Sequence, residues 1–162
     1  MRVLVTGAGG FVGSRVMRML AGQYELHPLP KGMAAGNPDA VLGEGARVQP
    51  DMILHTAAIS DTGYCQQHPE ESCRSNVVLP LALAKTGIKL VAFSSDQVYT
   101  GLGGCTPFAE DVPLQPTNVY GQHKREMEQR VLDADPDAVL LRAIGDAYVE
   151  DVLLSALGEE MP

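Results

Sequence analysis

Apolar positions in this chain change rhythm repeatedly, from short unbroken runs to spacings of three and four. Val3-Leu4-Val5 is a β-branched run bounded by glycine, and Val12, Val16, Met19 and Leu20 then recur at helical spacing. The pattern predicts a strand, a glycine turn and a helix that Gly22 closes, with a weaker second strand over 24–29. From Pro30 to Pro50 the chain carries Gly32, Gly36, Gly43, Gly45 and Pro38, so any third strand or second helix there is expected to be short and poorly specified. The run from Met52 to Ala58 suits a strand covered on both faces of a parallel sheet. Residues 70–85 read as a helix in which Pro80 removes a backbone donor. Ile88 to Phe93 is another buried strand, ending in Ser94-Ser95-Asp96. A loop rich in Gly and Pro (100–116), a helix over 118–133, a strand at 138–141 and a last amphipathic helix over 146–157 complete the reading. Strands alternating with helices imply right-handed crossovers, hence an α/β fold with a doubly wound parallel sheet between two helical layers.

Composition narrows what such a fold can serve. The 162 residues, 45% of them apolar, suffice for one domain, expected to span 1–142 with 143–162 as its helical extension. Twelve basic against 20 acidic residues give a net charge of −8, the wrong sign for nucleic acid or an anionic membrane surface as partner. No apolar run is long enough for a signal-peptide core or a bilayer span, so a cytoplasmic protein is expected. Cys65, Cys73 and Cys105 are widely spaced and odd in number, which fits free thiols; Cys65 and His68 lack further ligands for a metal.

Candidate chemistry begins at the first turn. Gly7, Gly10 and Gly13 fall three residues apart between the first strand and the first helix. Such a turn must be tight, let its backbone approach a pyrophosphate and pack the helix hard on the sheet, with the amides of Phe11 and Val12 at the helix N-terminus. After the second strand stands Lys31 where an NAD-binding fold would place an acid. It is either a cation for the 2′-phosphate of NADP(H), favoured here over NAD(H), or a solvated loop residue. Tyr120 and Lys124 are four apart and share a helical stripe with Met127 and Val131, while Glu128 and its charged neighbours are read as lying elsewhere. Carbonyl reduction gives that inward lysine a reason: hydride goes to carbon, an acid protonates oxygen, and a cation lowers the tyrosine pKa. Lys124 is also expected to hold the nicotinamide ribose, so that Tyr120 and Lys124 both stand at the coenzyme. Ser95 ends a strand at the edge where open α/β sheets bind ligands, placed to orient a carbonyl.

In combination, the segments 3–13, 50–58, 93–99 and 116–124 resemble the extended short-chain dehydrogenase/reductase family, and within it the dTDP-4-dehydrorhamnose reductase branch of sugar-nucleotide enzymes. The resemblance runs in order to about Arg142. It implies catalytic roles for Ser95, Tyr120 and Lys124, an Asn76 that supports the lysine through water, and Ala57 and Ala58 beside the coenzyme. It also implies an NAD(P)-dependent oxidoreductase acting on a nucleotide sugar, and a homodimer formed through the helices bearing Asn76 and Tyr120. Two departures stand against it: the Asp-rich segment after the second strand is replaced by the glycine-rich stretch 32–45, and 143–162 is too short for the family's C-terminal substrate domain. A dinucleotide-binding regulatory module and a shortened product of an enzyme gene are the competing readings.

Overall fold

In the computed structural model, which describes residues 1–30, 32–33, 37–103, 108–143 and 153, the apolar runs become five parallel strands. They are β1 (Arg2–Thr6), β2 (Glu25–Pro28), β3 (Met52–His55), β4 (Lys89–Ser95) and β5 (Val139–Ala143), in the order β2-β1-β3-β4-β5. Register is regular throughout, with Thr6 opposite His55, His55 opposite Ala92 and Ser95 opposite Ala143. The chain leaves β1 toward one side, through α1 (Phe11–Met19) to β2, and returns across it through α2 (Pro38–Val48) to β3. The connections therefore diverge at the C-terminal ends of β1 and β3, which opens the crevice such sheets use for ligands.

Both faces of the sheet are buried. Val3, Val5, Met52, Leu54, Val91 and Phe93 pack with Val16 of α1 and with Leu20, which follows it, on one face. Leu4, Ile53, Leu90 and Ala92 pack on the other with Val41 and Val48 of α2, with Leu79 and Leu83 of α5 (Leu79–Ala84), and with Met127 and Val131 of α6 (Val119–Ala134). Burial on both sides explains why the inner strands read as unbroken apolar runs.

Three elements depart from expectation. The glycine-rich stretch holds an 11-residue α2, longer than its glycines suggest. Asn37 caps it by accepting from the Ala40 amide at 3.2 Å, Pro38 occupies its first turn, and Gln49 closes it in the left-handed conformation. A short α3 (Thr62–Gln67), unanticipated, is capped by Asp61, which accepts from the Tyr64 amide at 2.7 Å. The helix expected over 70–85 is divided: α4 (Pro69–Cys73), a π-turn (Arg74–Val78), then α5. Pro80 has no amide to offer the Asn76 carbonyl, so the regular ladder cannot continue, and the Leu79 N–H reaches back five residues to Arg74. Lys31, Cys105 and the helix expected over 146–157 lie outside the described residues, except that Leu153 is buried in the α1-side core.

Glu128 also corrects the sequence reading. It is buried, accepting from the Arg142 guanidinium at 2.7 to 3.2 Å and from the Ser94 hydroxyl at 2.5 Å. Arg142 donates further to the Tyr99 hydroxyl at 2.6 Å and to the Glu110 carbonyl at 3.0 Å. A charge inside a fold persists only with such partners, and these tie β5, α6 and the loop after β4 together.

Candidate active site

The glycine turn brings α1 against two strand ends. Gly7 has φ +69°, and a Cβ there would come within 2.6 Å of the Ala57 amide nitrogen and 2.8 Å of Thr56 Oγ1. A Cβ on Gly13 would overlap the Gly7 carbonyl oxygen, and Gly10 donates to that oxygen at 2.8 Å. The first-turn amides of α1, those of Phe11, Val12 and Gly13, have no acceptor within the helix. They stand where β1 and β3 end, beside Ala57, in a cradle that side chains would fill. A pyrophosphate fits that donor set, with negative charge meeting the positive end of the helix.

Beneath the cradle the strand ends are locked. Thr6 Oγ1 lies 2.8 Å from His55 Nδ1 and accepts from the Ala57 amide at 3.3 Å, while Thr56 Oγ1 donates to the Thr6 carbonyl at 2.7 Å. His55 is buried, and burial, reinforced by the charge of Lys124, lowers its pKa to about 3.

Ser95, Tyr120 and Lys124 converge from two elements. Ser95 ends β4 and caps the 3₁₀ turn Asp96–Tyr99, accepting from the Gln97 amide at 3.2 Å and donating to Asp96 Oδ1 at 3.1 Å. Tyr120 enters from the first turn of α6, which Asn118 caps by accepting from the Gly121 amide at 2.7 Å. Burial pushes its phenol up to about 12, opposed by a hydrogen bond with Ser95. Lys124, one turn on, is buried with Nζ 5.8 Å from the Tyr120 ring centre and donating to the Phe93 carbonyl at 2.9 Å. Burial lowers its pKa to about 8, against the opposing pull of Glu128. Burial dominates the phenol, and the lowering expected from Lys124 is not among the influences acting on it.

Asn76, in the π-turn, clamps the chain after Ala57 and Ala58. Its Oδ1 accepts from the Ile59 amide at 3.1 Å, and its Nδ2 donates to the Ile59 carbonyl at 2.9 Å and to Ser72 Oγ at 3.2 Å. Thr6, His55, Ser72 and His123 escaped the sequence reading. For Thr6 and His55 the available signal was polarity at the ends of strands that the apolar runs marked as buried; Ser72 and His123, on two helices, carried no such signal. Among the described residues no group of three or more His, Cys, Asp or Glu could hold a metal, and no helix is long and apolar enough to cross a membrane.

A doubly wound sheet with a side-chain-free turn at its switch point defines a Rossmann-type dinucleotide-binding fold. The model of the RmlD substrate binding domain matches residues 1–147, and the chain belongs to that family. It is 31% identical to the spore coat polysaccharide biosynthesis protein SpsK of Bacillus subtilis (strain 168), over 94% of this chain and 58% of that one. Among solved structures, a dTDP-4-dehydrorhamnose reductase ortholog from Clostridium acetobutylicum superposes with a TM-score of 0.80 at 25% identity, covering 98% of this chain and 60% of that one. The dTDP-4-dehydrorhamnose reductase of Bacillus anthracis, solved in complex with NADP, gives 0.78 at 25% identity, covering 94% and 59%. The chain thus spans less than two thirds of each of these proteins.

Gly13→Ala is expected to lower stability by about 2 kcal/mol, because its methyl meets backbone. Gly43→Ala, in α2 with nothing within 4 Å, should instead raise it by roughly 0.5–1 kcal/mol. Urea midpoints of the two variants check the pair. His55 makes stability fall with acid: the unfolded chain binds its proton near pH 6.5, the folded protein only near 3. Between these values the group costs stability at up to about 1.4 kcal/mol per pH unit as pH falls. The lysine's own linkage, from about 8 to 10.5, lies outside that window. Urea midpoints between pH 7 and 4 should show the slope, and His55→Asn should make it shallower, leaving the contribution of His123, whose pKa burial also lowers.

Proposed function

We propose that the chain is the coenzyme-binding and catalytic part of an NAD(P)-dependent reductase of the dTDP-4-dehydrorhamnose reductase type, acting on the keto group of a nucleotide sugar with NADPH preferred. The observation that carries this reading is the placement of Tyr120 and a buried Lys124 one turn apart on α6, with Lys124 Nζ bonded to the Phe93 carbonyl two residues before Ser95, at the edge where the glycine turn opens. The amides of Phe11, Val12 and Gly13 hold the pyrophosphate, with Gly7 and Gly10 shaping the turn and Ala57 and Ala58 flanking the coenzyme. When bound, the coenzyme supplies a hydride. Ser95 donates a hydrogen bond to the carbonyl oxygen and Tyr120 gives that oxygen its proton. Lys124, charged below about pH 8, stabilises the phenolate left behind. Asn76 keeps the strand end in place, and Lys31 is assigned to the 2′-phosphate.

Fluorescence titration with NADPH and NADH, followed by turnover assays with dTDP-4-keto sugars, tests the proposal. Tyr120→Phe should reduce turnover by a factor of 10² or more while leaving the NADPH dissociation constant within about threefold, since the phenol is not among the pyrophosphate donors. Tight NADPH binding without turnover by the parent chain would favour a regulatory dinucleotide-binding module. The same proposal includes a homodimer through the helices bearing Asn76 and Tyr120, supported by Val78 and Leu132, which are 42% and 43% exposed on those segments. Sedimentation should give twice the chain mass, and Leu132→Glu should give the monomer.

A further inference from the structure

Ser72 and His123 have no part in the proposed hydride transfer, yet they join the separate segments of its site. Ser72 lies on α4 and is buried, and its hydroxyl is 2.8 Å from Nδ1 of His123 on α6, the residue before Lys124. The same oxygen accepts from Asn76 Nδ2 at 3.2 Å. An oxygen that accepts from an amide still has its own proton to place, and the His123 nitrogen is the acceptor at hand. That arrangement requires a neutral imidazole protonated at Nε2, and burial favours it by lowering the His123 pKa, against the opposing charge of Glu126. Every bond in the line then has one direction: Ile59 N–H to Asn76 Oδ1, Asn76 Nδ2 to Ser72 and to the Ile59 carbonyl, and Ser72 to His123.

Direction matters because an amide side chain can be turned end for end. Were Asn76 reversed, its NH₂ would face the Ile59 N–H, donor against donor, and its oxygen would face the carbonyl. The Ile59 backbone thus sets the orientation, and His123, by holding the Ser72 proton, leaves Ser72 able to face only a donor from the Asn76 side, so that the oriented amide is tied to α6.

We propose that Ser72 and His123 are positioning residues of this site: together they fix the Asn76 amide, and through it the Ile59 backbone beside Ala57 and Ala58, to the helix carrying Tyr120 and Lys124. The proposal rests on the reductase reading for what the site does, while the line of hydrogen bonds can be tested without it.

Two readouts on the full chain are needed: the Asn76 side-chain amide resonances in ¹H–¹⁵N spectra, and the dissociation constant for NADPH. Ser72→Ala and His123→Leu should shift those resonances and speed their exchange with water, and should weaken NADPH binding about fivefold, the size of one net hydrogen bond. His123→Asn, whose Oδ1 can accept in place of Nδ1, should restore both. Unaltered Asn76 resonances in His123→Leu would overturn the proposal. So would a His123→Asn variant as impaired as His123→Leu. Should the parent chain bind no NADPH, the proposed function fails, and the amide resonances alone still decide whether His123 orients Asn76.

Discussion

The absence of two Cβ atoms governs where everything else in the site can stand. With hydrogen at Gly7 and Gly13, the turn lies against Thr56 and Ala57 beyond β3, the first helix closes on the Gly7 carbonyl, and Thr6, Thr56 and Ala57 interlock beneath it. A single methyl at either position would meet backbone rather than a yielding side chain. The strand ends would then separate, and His55, bonded to Thr6 at 2.8 Å, would move with them.

Around that turn the protein keeps ionisable groups dry in two different ways. Glu128 and Arg142 neutralise each other, with Ser94 and Tyr99 completing their hydrogen bonds, so both can remain charged. Among the described residues, Lys124 and His55 have no such counter-ion within bonding distance, and both are driven toward their neutral forms. The first arrangement is rigid and structural. The second leaves groups whose protonation can change near the crevice, the property that acid–base chemistry needs.

The sheet was legible in the sequence because its inner strands are apolar on both faces, and the Tyr120 and Lys124 stripe was legible because four residues make one helical turn. Helix α2 was obscured by Gly43 and Gly45, although Asn37-Pro38 carries the cap and first-turn signals that outweigh them. Glu128 was misplaced for want of the same rule that found the lysine: it lies four residues beyond Lys124 and so turns inward with it. The pairs Thr6 with His55 and Ser72 with His123 join residues 49 and 51 apart. Such pairs depend on strand register and helix packing, which local periodicity does not encode.

The π-turn at Arg74–Val78 carries one residue more than a straight helix would need. Five residues there turn through about the angle that four make in an α-helix, so the extra residue is absorbed without turning α4 away from α5. Ser72 therefore keeps its place against α6 while Leu79 and Leu83, beyond the irregularity, keep theirs in the core. The π-turn is a phase adjustment between two faces of one segment.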